Sequence, residues 1–199
     1  MSAKSRGLLN RFKSLCNRIY DYNYISIASI MPKIRVYIAS SLDGYVARES
    51  GDVDWLPETT ESGYDIFYKS VDTVIMGKTT YDQVLTFGDY PYKDKKSLVF
   101  TRNSAQNKDE NAEFVSDVEK FVKDGFPGAG ENIWLVGGAQ IIASFLNRGA
   151  VDEIIISVIP VLLGKGIPLF KNIENETKLE LVKTVKYDQL VDLYYKVLK

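Results

Sequence analysis

The chain has 199 residues, 45% hydrophobic and 26% charged, with a net charge of −1, which suits one domain with a sizeable core. It has no histidine and one cysteine, Cys16. Ser-His-Asp and Cys-His catalysis, zinc sites built from histidine or several cysteines, and an intramolecular disulfide are therefore excluded. The lone cysteine fits a reducing compartment, so a cytoplasmic protein is expected. No apolar run reaches the roughly 18 residues of a membrane span, so no membrane partner is expected. Residues 1–31 carry +4 and the remainder −5. A mildly acidic domain argues against non-specific nucleic-acid binding.

Residues 1–30 are basic and rich in serine and asparagine. They read as an extension outside the fold: a disordered tail, an upstream start, or an organelle-targeting peptide. The domain is expected over residues 31–199, opening with a strand at Ile34–Ala39. Asp43-Gly44 then gives a turn signal, and Asp54-Trp55-Leu56-Pro57 a loop. Tyr64, Phe67 and Val71 have the spacing of a helix, and Glu61 and Asp65 flank the Gly63 that precedes it.

Thr73–Met76 reads as a buried strand that meets Gly77-Lys78-Thr79-Thr80-Tyr81 at a helix start. Strands follow at Ser97–Thr101 and Glu113–Val115. Ser116-Asp117-Val118-Glu119 then has the form of a capping box ahead of a third helix. Gly125–Gly130 reads as a flexible linker; it precedes a strand, the wrong order for a phosphate loop. Ile133–Val136 runs through Gly137-Gly138 into a helix from Ala139 to about Asn147. Glu153–Ile159 is a further strand. Leu179–Tyr187 and Leu190–Leu198 make an antiparallel hairpin, with Asp192, Tyr194 and Lys196 on the exposed side of a half-buried strand. Eight strands, the first five alternating with helices, predict a mixed, mostly parallel sheet with helices on both faces.

The two strand–glycine–helix junctions suggest a ligand. Bare backbone at a strand's C-terminal end permits close approach, and a helix start presents N–H groups and a positive dipole end to phosphate. Two such junctions in one small α/β chain suggest a nucleotide cofactor gripped from two sides.

Ser40-Ser41-Leu42-Asp43-Gly44-Tyr45, Met76-Gly77-Lys78-Thr79-Thr80-Tyr81, Val136-Gly137-Gly138-Ala139 and the stretch from Pro160 to Phe170 occur in order. Together they resemble the dihydrofolate reductase-like superfamily. The likeness is to the branch holding the C-terminal reductase domain of the bifunctional riboflavin-biosynthesis deaminase-reductase, and it covers nearly all of residues 31–199. It implies a three-layer α/β/α fold with an eight-stranded sheet, NADPH across the strands' C-terminal edge, and a homodimer. It also implies reduction of a small heterocycle such as 5-amino-6-(phosphoribosylamino)uracil. A pterin reductase of the dihydrofolate type, or a non-catalytic nucleotide-binding module, are the alternatives.

Carried onto this sequence, the resemblance places Ala39, Gly77, Lys78, Thr79, Thr80, Gly137, Gly138, Ala139, Gln140 and Ile141 against the cofactor. Thr101 and Arg102 fall beside its 2′-phosphate, and an unusual peptide geometry is expected at the paired glycines. Asp43 and Trp55 are placed near the nicotinamide and substrate. The family's proton-donating carboxylate would fall four residues before Phe67, where this chain has Gly63. Glu61 and Asp65 are the nearest acids, neither in register.

Overall fold

The computed structural model describes residues 31–57, 62–102 and 108–199. The N-terminal extension and Glu61 lie outside the described residues. Pro32–Lys199 forms one compact unit.

The expected eight strands are present and join one sheet. In chain order, with two short strands besides, they are β1 Lys33–Ser41, β2 Tyr45–Ala47, β3 Thr73–Gly77, β4 Lys96–Phe100, β5 Glu113–Val115, β6 Asn132–Gly137, β7 Glu153–Ile159, β8 Ile167–Pro168, β9 Leu179–Lys186 and β10 Val191–Val197. The large sheet has the order β5-β4-β3-β6-β1-β7-β10-β9. Its first six members are parallel, and β10 runs antiparallel to both β7 and β9. β2 and β8 pair with each other in a separate two-stranded sheet absent from the sequence expectation. At three and two residues they are too short to show a period.

Four helices are described: α1 Tyr64–Lys69, α2 Lys78–Leu85, α3 Val118–Lys123 and α4 Ala139–Leu146. Strand residues alternate between two cores, because successive side chains leave opposite faces of a strand. Val36, Ile75, Leu98 and Leu135 join Phe121 of α3 and Phe145 of α4 on one face. Tyr37, Val74, Val99 and Trp134 join Phe67 of α1 and Tyr81 of α2 on the other. Helices therefore cover both faces, as the alternation of elements required.

Three local expectations are corrected. The cap of α3 is Asp117, whose Oδ1 accepts from the Lys120 N–H at 2.8 Å, and not Ser116. Either residue can cap a helix, and the one-residue shift keeps Phe121 on the buried face. Gly125–Gly130 is no spacer: Phe126 is buried against Phe121, with ring centroids 5.7 Å apart. Finally, Asp192 is wholly buried. β10 lies between β7 and β9, and Asp192 faces the hydroxyls of Ser157 and Tyr37 instead of water.

Leu135 is fully buried between β1 and β3. Leu135→Ala is expected to cost about 2–5 kcal/mol through lost burial and a residual cavity, read by urea denaturation.

Candidate active site

The parallel strands all end at one edge of the sheet, and both glycine junctions lie there. β3 and β6 are direct neighbours, and Met76 pairs with Gly137. A Cβ placed on Gly77 would stand 3.1 Å from Ile141 Cγ1, and one on Gly138 would stand 3.3 Å from Thr80 Oγ1. Each junction thus packs against the opening turn of the other's helix. Gly137 has φ +128°, a conformation that side-chain-bearing residues rarely adopt, and a cis peptide joins it to Gly138. Gly77 and Gly138 are the N-caps of α2 and α4, and neither helix has a side-chain cap. Ile141 donates its N–H to the Gly138 carbonyl at 3.0 Å, while the opening N–H groups of each helix, those of Lys78 and Thr79 and of Ala139 and Gln140, have no intrahelical acceptor and no capping side chain.

Around these turns, Thr79 and Gln140 are exposed, Lys78, Thr80 and Ile141 half-buried, and Ala139 buried. Lys78 forms an ion pair with Asp82 one turn on and lies 5.8 Å from the Tyr81 ring centroid. Thr101 donates its N–H to the Val115 carbonyl, and Arg102 follows it, exposed, just past β4.

Beside the junctions is a cavity of about 310 Å³, lined by Tyr37 and Ala39 of β1, Trp134 and Val136 of β6, Ser157 of β7, and Tyr64 at the start of α1, among others. Val136 and Gly137 are consecutive, so cavity and glycine turn share one strand. The Trp134 indole N–H donates to the Tyr37 carbonyl at 3.1 Å, and its ring packs edge-on to Phe67 and Tyr92.

A polar cluster lies under this wall. Asp192 accepts from the Ser157 hydroxyl at 2.5 Å, from the Tyr37 hydroxyl at 3.1 Å and from the Tyr194 hydroxyl at 3.4 Å. Burial pushes the Tyr37 phenol well above its usual range, and the Asp192 charge adds to the effect. Tyr194 is pushed up to about 12 by burial and then by Asp192. Both phenols keep their protons at neutral pH and remain donors to the carboxylate.

Ala39, expected against the cofactor, lines this cavity, whereas Asp43, Trp55 and Asp65, the described residues expected to be catalytic, do not. Asp43 instead bridges two loops. It accepts from the Ser41 hydroxyl at 2.6 Å, and from the Leu163 and Gly164 N–H groups at 3.1 and 2.7 Å. Leu56 and Pro57 reach the cavity where Trp55 was expected. The Trp55 indole N–H is buried with no hydrogen-bond partner among the described residues. Asp65 is exposed in the first turn of α1, and Glu61 is outside the described residues.

Sequence reasoning missed Tyr37, Ser157 and Asp192. A polar residue at an apolar position in an otherwise aliphatic strand, as Ser157 is in Glu153–Ile159, was the available signal.

A mixed eight-stranded sheet with an antiparallel C-terminal hairpin and glycine-opened helices at one edge defines a dihydrofolate reductase-like protein. Residues 91–193 match the RibD C-terminal domain model, and the chain belongs to that family. The uncharacterized protein YwjB of Bacillus subtilis is 44% identical over 168 residues, covering 82% of this chain and 97% of its own. A crystal structure from Shewanella sp. PV-4, assigned to riboflavin biosynthesis, is 28% identical with TM-score 0.70, covering 84% of this chain and 99% of that one. Dihydrofolate reductase from Enterococcus faecalis, solved with NADP(H), shares the fold at 17% identity and TM-score 0.60, covering 85% of this chain and 99% of that one.

The Ser41 hydroxyl, followed by the Gly164 and Leu163 N–H groups, holds the Asp43 carboxyl below its usual pKa. A lowered folded-state pKa gives stability that is complete above the unfolded value, about 3.9, and lost as pH falls through the folded one. Asp43→Asn is expected to lower Tm at pH 7 and to flatten the acid limb of a Tm-against-pH curve.

Proposed function

We propose that the chain is an NADPH-dependent reductase of a small heterocyclic substrate, of the riboflavin-biosynthesis type, acting in the CH–OH or CH–NH donor class. The observation that carries this reading is the pairing of Met76 with Gly137, which brings two uncapped helix starts together. A diphosphate is the ligand such a pair suits: the opening N–H groups of two helices, two positive dipole ends, and no side chain at Gly77 or Gly138 to hold it off. The E. faecalis reductase with its bound NADP(H) supports the choice of cofactor by likeness of fold.

In this reading Gly77, Thr79, Thr80, Gly138, Ala139 and Gln140 hold the diphosphate through main-chain N–H groups and hydroxyls. Thr80 Oγ1, beside Gly138, serves both helices. Arg102 offers a forked set of donors to the 2′-phosphate, which is why NADPH is preferred to NADH. When bound, the cofactor supplies a hydride. The chain's own part is to seat the substrate on Trp134, Val136 and Ala39, to keep water from the reacting face, and to fix its polar edge against the hydroxyls of Tyr37 and Ser157. The single cysteine supports a cytoplasmic setting.

NADPH at millimolar concentration is expected to raise Tm. Arg102→Ala should weaken NADPH about tenfold, the scale of one charge-assisted contact, and leave NADH unchanged; fluorescence titration reads both. No shift of Tm with NADPH would defeat the reading. Oxidation of NADPH against aminopyrimidines and dihydrofolate tests turnover.

A homodimer is part of the proposal. It is supported by β9, an outer strand of the sheet on which Leu181 and Val182 are more than half exposed. Light scattering is expected to give twice the 22.5 kDa of the chain, and Val182→Asp to shift it toward one copy.

A further inference from the structure

Gly63 and Asp192 occupy one place in the molecule. Gly63 is the position where the resemblance expects a carboxylate on the first helix. A Cβ built there would lie 3.0 Å from Asp192 Oδ2, 2.8 Å from the Tyr194 hydroxyl and 3.2 Å from the Tyr187 hydroxyl. The space a helix acid would use is filled by a carboxylate arriving from β10, and the glycine is what lets it in.

The setting of that carboxylate has a chemical consequence. Asp192 has no exposed surface and no ion-pair partner among the described residues. Lys183, one of two lysines on the adjoining strand β9, lies instead over the Tyr194 ring, 4.1 Å from its centroid. Hydroxyl groups are its neutralising company. A buried anion held only by neutral donors retains a strong attraction for positive charge, because the low-dielectric surroundings screen it poorly. Tyr37 and Ser157 spend their hydroxyl hydrogens on Asp192, so only oxygen lone pairs are left to face the cavity they line. The pocket therefore presents acceptors backed by a negative charge and offers no hydroxyl donor from either residue.

We infer that Asp192 is the specificity-determining anion of this pocket, acting through Tyr37 and Ser157 to select a substrate whose reacting edge is a protonated C=N–H group. The inference rests on the proposed reductase reading for its chemistry, and on the cavity alone for its binding. It also removes the need for a helix acid. An iminium arrives with its proton in place. Its carbon gains the hydride from the reduced nicotinamide, the C=N π pair becomes the nitrogen lone pair, and it leaves as a neutral amine without a further proton. Asp192 is thus a positioning residue that touches the substrate only through two hydroxyls.

Benzamidine, a planar aromatic amidinium, and benzamide, its neutral isostere, test this in the full-length protein by NMR titration without cofactor. The wild type is expected to favour benzamidine about tenfold, the scale of a charge-assisted over a neutral contact. Asp192→Asn keeps the shape and removes the charge; it should abolish the preference while leaving benzamide affinity unchanged. A merely structural role would weaken both ligands together. Equal affinities in the wild type, binding of neither ligand, or a preference that survives in the variant would overturn the inference. NADPH affinity measured on the same samples reports separately on the dinucleotide reading, so loss of one does not mimic loss of the other.

Discussion

The parallel pairing of β3 with β6 is the constraint on which the site depends. These strands are far apart in sequence, and each is buried on both faces, so nothing local fixes their neighbourhood. Once they pair with Met76 opposite Gly137, both chain reversals occur at the same height. The helices that follow must then start side by side. The approach is close: a Cβ at Gly77 would stand 3.1 Å from Ile141 Cγ1, so the Ile141 side chain would have to give way to it. Backbone hydrogen bonding between strands thus sets the position of two helix starts whose opening N–H groups no side chain caps.

The same sheet carries a costly feature a few residues away. A carboxylate without surface exposure loses its hydration, and hydroxyl donors return only part of that. The surrounding sequence is arranged around this cost. Tyr37 and Ser157 come from adjacent strands, Tyr194 from Asp192's own strand two residues on, and Gly63 yields the space of a side chain. Four elements contribute to one polar cluster, and a solely architectural purpose would be met more cheaply by an aliphatic residue.

Much of this architecture was legible in the sequence, for definable reasons. The parallel strands are continuous apolar runs bounded by glycine or a helix signal, and Ile133–Val136 and Thr73–Met76 needed no knowledge of their partners. The glycine junctions were visible because a turn that leaves bare backbone at a strand's end has few alternatives in residue type. Asp192 was not legible: alternation along Val191–Val197 reveals which residues share a face, yet not whether water or other polar groups lie beyond it. Cavity residues from three separate strands share no sequence spacing at all, so Tyr37, Trp134 and Ser157 could be grouped only once the strand order was known. Asp43 was legible as a turn residue. Its turn signal was real, and its carboxylate is used by that turn and by Leu163-Gly164.

The two faces of the sheet divide the labour between them. One is closed by aliphatic residues and phenylalanines, with α3 and α4 laid across it. The other is built from Tyr37, Tyr81, Tyr90, Tyr92 and Trp134. Such residues give large apolar contact but carry a polar tip that needs a partner. Tyr81 donates to Asp109 at 2.7 Å and Tyr90 to Ser97 at 2.8 Å, so neither tip is stranded. A wall of this kind packs tightly while admitting polar groups at chosen points. An aliphatic face would have no means of surrounding Asp192 with donors, and a face of charged residues would neither pack against α1 and α2 nor keep water out. The cavity lies on the aromatic face because only there can a buried polar cluster and an apolar wall stand side by side.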